Sequence, residues 1–237
     1  MFSKVSLLLQ LAGVLFPVPV LSGKPVCPSV EVPKATSLKD AMNAFVIGGV
    51  VPDLLPRFSP VATMRLIYHP NPFGTVFFPG QRIPQSLTKE QPTIRIRPPP
   101  DHPVPSVLSL DSNYTFIIVD PDVPSRINAT SGPFRHMLAT EVKLLPNPPY
   151  FDLDFPVDPL SDYIPPAPPE ASGFHRYTFL LYSGQPSPSS INNFDEQYPS
   201  RFNFNLRQFI ADAQLCDPIA GIFMFTENSK DEAKSLV

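Results

Sequence analysis

The chain has 237 residues, 43% of them hydrophobic, with a formal net charge of −3. That length supports one core of moderate size, and the charge argues against a broadly cationic nucleic-acid or membrane-surface binder. Its 34 prolines, against a typical share of roughly 5%, exclude long helices and favour short strands joined by stiff loops.

Residues 1–22 read as a secretory signal peptide: Lys4 begins a short apolar run over residues 7–21, interrupted by Pro17 and Pro19, and Ser22 is a plausible cleavage position. Residues 23–237 then form a single domain with short flexible ends. The sequons at Asn113 and Asn128 favour export and glycosylation. Cys27 and Cys216 are the only cysteines; in an oxidising compartment their pairing as one disulfide is expected, against an alternative of two buried thiols. The expected location is extracellular, or the lumen of the secretory pathway or vacuole, and no later stretch is long enough to span a bilayer.

Along the chain, residues 33–46 place Leu38, Met42, Phe45 and Val46 near one helical face, with Ser37 as a cap and the GGV that follows as the stop. VVPDLLPRF reads as a turn. Strands are expected at residues 62–68, within FGTVFFPGQRI, and at PTIRIR, followed by the stiff connector RPPPDHPVPSV. YTFIIV, residues 114–119, is the strongest strand signal, rich in β-branched and aromatic residues. MLATEV at 137–142 is the next strand, and residues 143–169 form a long proline-rich insert. FHRYTFLLY at 174–182 is a second strong strand, residues 204–213 fit a short helix, and IAGIFMFT at 219–226 closes the core. Neither a βαβ rhythm nor a GxGxxG occurs. The expected fold is all-β, a β-sandwich of antiparallel sheets with a few short peripheral helices.

The chemistry-bearing stretch is DPDVPSR, residues 120–126, directly after the strongest strand. Asp120 and Asp122 are two apart. The spacing favours an Asx-type turn in which the acids cap loop amides, over a two-carboxylate metal site or a catalytic pair. Arg126 is near enough in sequence to pair with Asp122. His136, in GPFRHML, and His175, in FHRYTF, each read singly as structural histidines; Tyr177 alternates with His175, and Arg135 and Arg176 face away. No nucleophile elbow and no HExxH is present, so a catalytic or metal role has no motif behind it.

DPDVPSR, then GPFRHM, then LSDYIPPAPPEASGFHRY, in that order, resemble the phosphatidylethanolamine-binding protein family. That family also contains the Raf kinase inhibitor proteins, a yeast carboxypeptidase inhibitor and plant flowering regulators. The resemblance spans residues 39–227. It implies a β-sandwich with a small anion-binding pocket for phosphate-bearing small molecules or phospholipid headgroups, formed by Asp120, Pro124, His136, Pro168, Pro169, His175 and Tyr177. Asp122 and Arg126 match positions of the motif that look architectural. No cofactor is implied, and a monomer is expected. Where the family often has a histidine pair this chain has Arg135 and His136, and where its loop usually carries glycines this chain has Pro165-Pro166-Ala167-Pro168-Pro169, which presents fewer amide donors. The functional expectation is an exported, non-catalytic binder of phosphate-bearing ligands. The main alternative is an inhibitor of a serine carboxypeptidase or another protease, acting through the tail after Cys27 or the 143–169 loop. A small phosphate- or ester-hydrolase and a structural surface protein are weaker alternatives.

Overall fold

The computed structural model describes residues 27, 31–69 and 74–228. The expected leader at residues 1–22 lies outside them. Among the described residues nine strands form the scaffold: β1 Thr63–Tyr68, β2 Thr75–Phe77, β3 Gln81–Arg82, β4 Thr93–Arg97, β5 Tyr114–Asp120, β6 Phe134–Asn147, β7 Tyr150–Asp154, β8 His175–Ser183 and β9 Ala220–Thr226. They run in the order β2-β1-β4-β7-β6-β5-β8-β9-β3. Every pairing is antiparallel except β3 with β9.

The sandwich is made by one strand that serves both layers. The first part of β6 pairs with β5, from Asp120↔Phe134 to Tyr114↔Val142. Its last part pairs with β7, from Lys143↔Asp154 to Asn147↔Tyr150. The change of partner falls between Val142 and Lys143, just after Glu141, whose φ of +55° is a backbone state that bends a strand out of its sheet. The sequence reading ended this strand at Val142 and began a loop; the strand instead continues through Pro146. Pro146 lacks an amide hydrogen, yet the hairpin with β7 tolerates it close to the strand end.

Alternation along β5 and β8 then divides the core in two. Tyr114, Phe116, Ile118, Tyr177, Phe179 and Leu181 pack between the layers with Met64, Leu66, Ile94 and Ile96. Ile117, Val119, Leu180 and Tyr182 face the opposite way, under the helices. Because both faces of β5 are covered, all seven of its residues are buried, which explains why YTFIIV reads as a continuous apolar run rather than an alternating one.

The helices are short. They are α1 Thr36–Ile47, α2 Val50–Asp53, α3 Pro188–Asn192, α4 Phe194–Gln197 and α5 Leu206–Asp212. α1 buries Leu38, Ala41 and Phe45, and Phe45 stacks on Phe58 at 3.9 Å between ring centroids. Val46 is exposed, because the buried stripe lies one position round from the expected one. Ser37 is not the cap: Ala35 holds that position and makes no side-chain capping bond. The VVPDLLPRF turn contains α2, and α3 and α4 had no counterpart in the sequence reading. Cys27 and Cys216 are joined, with Cα atoms 5.6 Å apart and 189 residues between them in sequence. Among the described residues no helix is long and apolar enough to cross a membrane.

Candidate functional site

The DPD segment lies where β5 ends beside β8, in the register Val119↔Thr178. This brings three separate stretches of sequence together at one end of the sheet. Asp120 is buried and each of its oxygens has a partner. Oδ1 accepts from the Asp122 amide at 2.8 Å, which is the expected Asx-type turn. Oδ2 accepts from His175 Nδ1 at 2.7 Å, and both side chains are almost wholly shielded from solvent. On its other side, His175 Nε2 lies 3.0 Å from the hydroxyl of Ser172, and that hydroxyl donates to the Pro169 carbonyl at 2.7 Å. Ser172 thus links the His175 ring to the proline-rich loop.

Asp122 has a different role. Its Oδ2 accepts from the Arg176 amide at 2.9 Å and from Arg176 Nε at 2.8 Å, while Oδ1 accepts from Nη2 at 2.6 Å. The remaining guanidinium nitrogen, Nη1, donates to Gly49 O and to Asp53 Oδ2. Burial alone would lower the Arg176 guanidinium, but the hydrogen bonds and charges of Asp122 and Asp53 outweigh it and hold the group above its ordinary value. Arg126, expected to pair with Asp122, reaches instead to Gly48 O at 3.0 Å. The reason is that Arg176 already saturates Asp122. Both arginines thus grip the turn between α1 and α2. Gly49, with φ +72°, fits there because a Cβ would stand 2.7 Å from Arg126 Nη2 and 3.2 Å from Arg176 Nη1.

His136 comes from β6 and packs edge-on against Tyr177, 5.0 Å between centroids, and against Phe134 at 4.7 Å. Its Nδ1 donates to Ile164 O at 2.7 Å. That fixes the tautomer, with Nε2 making no hydrogen bond to the described residues. Burial pushes the His136 imidazole below the ordinary histidine value, although the Ile164 carbonyl and Asp120 pull it up. Burial, and then the Asp120 charge, raises the Tyr177 phenol well above its ordinary value. Tyr177 also makes a backbone hydrogen bond at Ala167.

Asp120, His136, His175 and Tyr177 are therefore assembled in one place. Pro168 is buried and Pro169 exposed on the neighbouring loop, and Pro124 is exposed. The proline-rich loop presents several carbonyls to its surroundings: Ile164 O takes His136 Nδ1, Pro166 O takes Gln85 Nε2, and Pro169 O takes Ser172, while the Ile164 amide donates to His136 O. Arg135 does face away from the histidines, donating to Ser161, Ser200 and Tyr198. It lies over the rings of Phe194 and Phe204. Its guanidinium is lowered to about 10 by burial and by Arg201. The sequence reading missed the linking role of Ser172 and the partnership of Arg176 with Asp122. Both residues sit inside the SGFHRY stretch already singled out, but only the fold shows what they touch. Among the described residues, no group of three or more His, Cys, Asp or Glu side chains is placed to hold a metal ion.

The family model described as phosphatidylethanolamine-binding protein matches residues 73–221. The chain belongs to this family. The match is narrower at both ends than the 39–227 span expected from the motifs. Among its relatives, the Arabidopsis thaliana protein BROTHER of FT and TFL 1 is 28% identical over 182 residues, covering 77% of this chain and 89% of that protein. The carboxypeptidase Y inhibitor of Saccharomyces cerevisiae is 33% identical over 97 residues, covering 36% of this chain and 44% of that protein. A carboxypeptidase Y inhibitor solved in complex with its cognate proteinase has the same fold, with a TM-score of 0.65 at 23% identity, covering 81% of this chain and 97% of that one. A phosphatidylethanolamine-binding protein from Plasmodium vivax superposes with a TM-score of 0.60 at 16% identity, over 80% and 98% of the two chains.

Proposed function

We propose that this chain is an exported, non-catalytic member of the phosphatidylethanolamine-binding family that binds a protein partner, as an inhibitor of a serine carboxypeptidase or a similar protease. The observation that carries this reading is the closed state of the DPD cluster. Asp120, Asp122, His175 and Arg176 spend their polar atoms on one another and on the surrounding backbone. A small ligand arriving there would find those groups already committed to one another. Binding through surface segments needs no opening of that cluster. The likeness to a carboxypeptidase Y inhibitor, in sequence over 97 residues and in fold over 81% of this chain, points to the class of partner. The segment after Cys27 is the favoured contact, because the Cys27–Cys216 bond ties it to the body. Export is supported by the leader-like N-terminus, by that disulfide and by the two sequons. Asn128 is exposed, whereas Asn113 is only half-exposed beside β5.

The test is hydrolysis of a peptide substrate by carboxypeptidase Y with the full-length exported protein present. Slowing that grows with protein concentration is expected, and it should weaken when Cys27 and Cys216 are both replaced by Ser. Undiminished turnover under a large molar excess would sink the reading.

A second reading rests on the geometry of His136. With Nδ1–H committed to Ile164, a neutral ring offers an oxyanion only a lone pair, and a protonated ring offers a donor. Because burial lowers the proton affinity of His136, binding of phosphoethanolamine should strengthen only as pH falls below the ordinary histidine range. Calorimetry between about pH 5 and pH 8 tests this, and a flat affinity across that range rules it out.

A further inference from the structure

Away from the DPD cluster, the outer side of β1 and β4 carries Arg65, Arg95 and Arg97. The register Thr63↔Arg97 and Arg65↔Arg95 sets them on one face. All three guanidinium carbons lie within 5.3 to 5.9 Å of the Tyr150 ring centroid. Only Arg95 has a carboxylate, Asp152 at 2.8 Å. Arg65 donates instead to the Tyr150 hydroxyl at 2.8 Å. Arg97 Nε is shielded from solvent and has no hydrogen-bond partner. Two guanidinium groups thus share the Tyr150 ring with no acid in an ion pair with either one among the described residues. Like charges gathered round one ring repel, and a doubly charged oxyanion beside them relieves that repulsion.

Arg65 and Arg97 also line a cavity of about 610 Å³ with Lys34 and His102, and the start of α1 forms another of its walls through Thr36 and Ser37. That volume suits a small metabolite. His102 Nδ1, like Arg97 Nε, is buried without a partner. α1 has neither a side-chain cap nor an acidic residue in its first turn, so its leading amides add positive potential to the same wall. Asp40 and Asp101 lie in the lining as well. They oppose a polyanion and favour a ligand with a single phosphoryl group.

From the cationic cluster and its cavity, we infer that the face formed by Arg65, Arg97, Lys34 and the start of α1 is a binding site for a small phosphomonoester, separate from the DPD cluster. The planar guanidinium forks of Arg65 and Arg97 grip the phosphoryl oxygens. Lys34 and the α1 amides complete the shell, and the rest of the molecule occupies the cavity along Phe78 and the proline connector.

Calorimetric titration of the full-length protein with glucose 6-phosphate, with inorganic phosphate and glucose in parallel, tests the site. Glucose 6-phosphate and phosphate should bind, and glucose should not. Arg65→Gln and Arg97→Gln should each weaken binding about tenfold, the loss expected for one charge-assisted hydrogen bond. Lys34→Gln, on an exposed segment, should weaken it by a smaller factor without disturbing the fold. His136→Gln should leave the affinity unchanged. The inference is overturned if the wild-type protein binds neither phosphate compound, if the three cationic substitutions retain wild-type affinity, or if His136→Gln abolishes binding. The carboxypeptidase assay is independent of all these outcomes.

Discussion

Asp122 and Asp152 are both paired with arginine, but in opposite surroundings. Asp122 is 1% exposed, and Arg176 meets it through three nitrogens before continuing to Gly49 and Asp53. Asp152 sits on the open face of the other layer with side-chain exposure of 27%, and it neutralises only one of three neighbouring arginines. The difference teaches where binding capacity remains. A charge taken out of water must find its partners within the protein, so the inner cluster is complete and works as a brace. The outer arginines are only partly buried, so their water-facing guanidinium atoms can remain without an acid at lower cost and keep donors to offer.

The sharpest way to break this comparison is Asp122→Ala. It strands Arg176 in the interior, and a loss of about 3–5 kcal/mol is expected for removing one partner of a buried pair. Urea denaturation measures it, and a loss below that of a surface pair would show that the brace is not a brace. Asp120→Asn should cost less, on the order of 1–3 kcal/mol, because one carbonyl oxygen remains for one of the two donors while an NH2 replaces the acceptor of the other. The ranking of the two variants in the same denaturation series checks the division of labour between the two acids.

The pH dependence probes the same interior cluster through His136. Its folded-state proton affinity is depressed by burial. The unfolded chain therefore takes up a proton at a pH where the folded chain does not. Stability from this group is present above the ordinary histidine value of about 6.5 and is lost as pH falls through it toward the lowered folded value. Denaturation midpoints measured across that window should slope upward with pH, and His136→Gln should flatten the slope. An unchanged slope in the variant would assign the dependence to other groups. The smallest effect belongs to the outer face. Asp152→Ala should cost only about 0.2–1 kcal/mol, as half-exposed ion pairs do, and should leave urea midpoints close to wild type.

The elements read most directly from sequence are those whose pattern is dictated locally. YTFIIV and FHRYTFLLY became β5 and β8 nearly residue for residue, because β-branched and aromatic runs between turn signals have few other ways to bury themselves. The 204–213 stretch contains α5, whose Asn205 cap accepts from the Gln208 amide. The Asx turn at Asp120 was equally legible, since its bond spans two residues. The extension of β6 through Lys143, Leu144 and Pro146 was not, because prolines there read as loop and only pairing with β7 shows that the ladder survives.

The site divides along the same line. The residues of DPDVPSR, His136, His175 and Tyr177 could be named from the chain, and the motif order assigned them to one family. Which oxygen meets which nitrogen could not. Arg126 is four residues from Asp122 in sequence, whereas Arg176 is 54 residues away and holds it. Likewise Tyr150 gathers Arg65, Arg95 and Arg97 from two other strands. Local sequence determined the strands, the turn and the residue types. Tertiary structure decided the partners, because hydrogen bonds and ion pairs follow distance in space, and sheet pairing sets that distance without regard to separation along the chain.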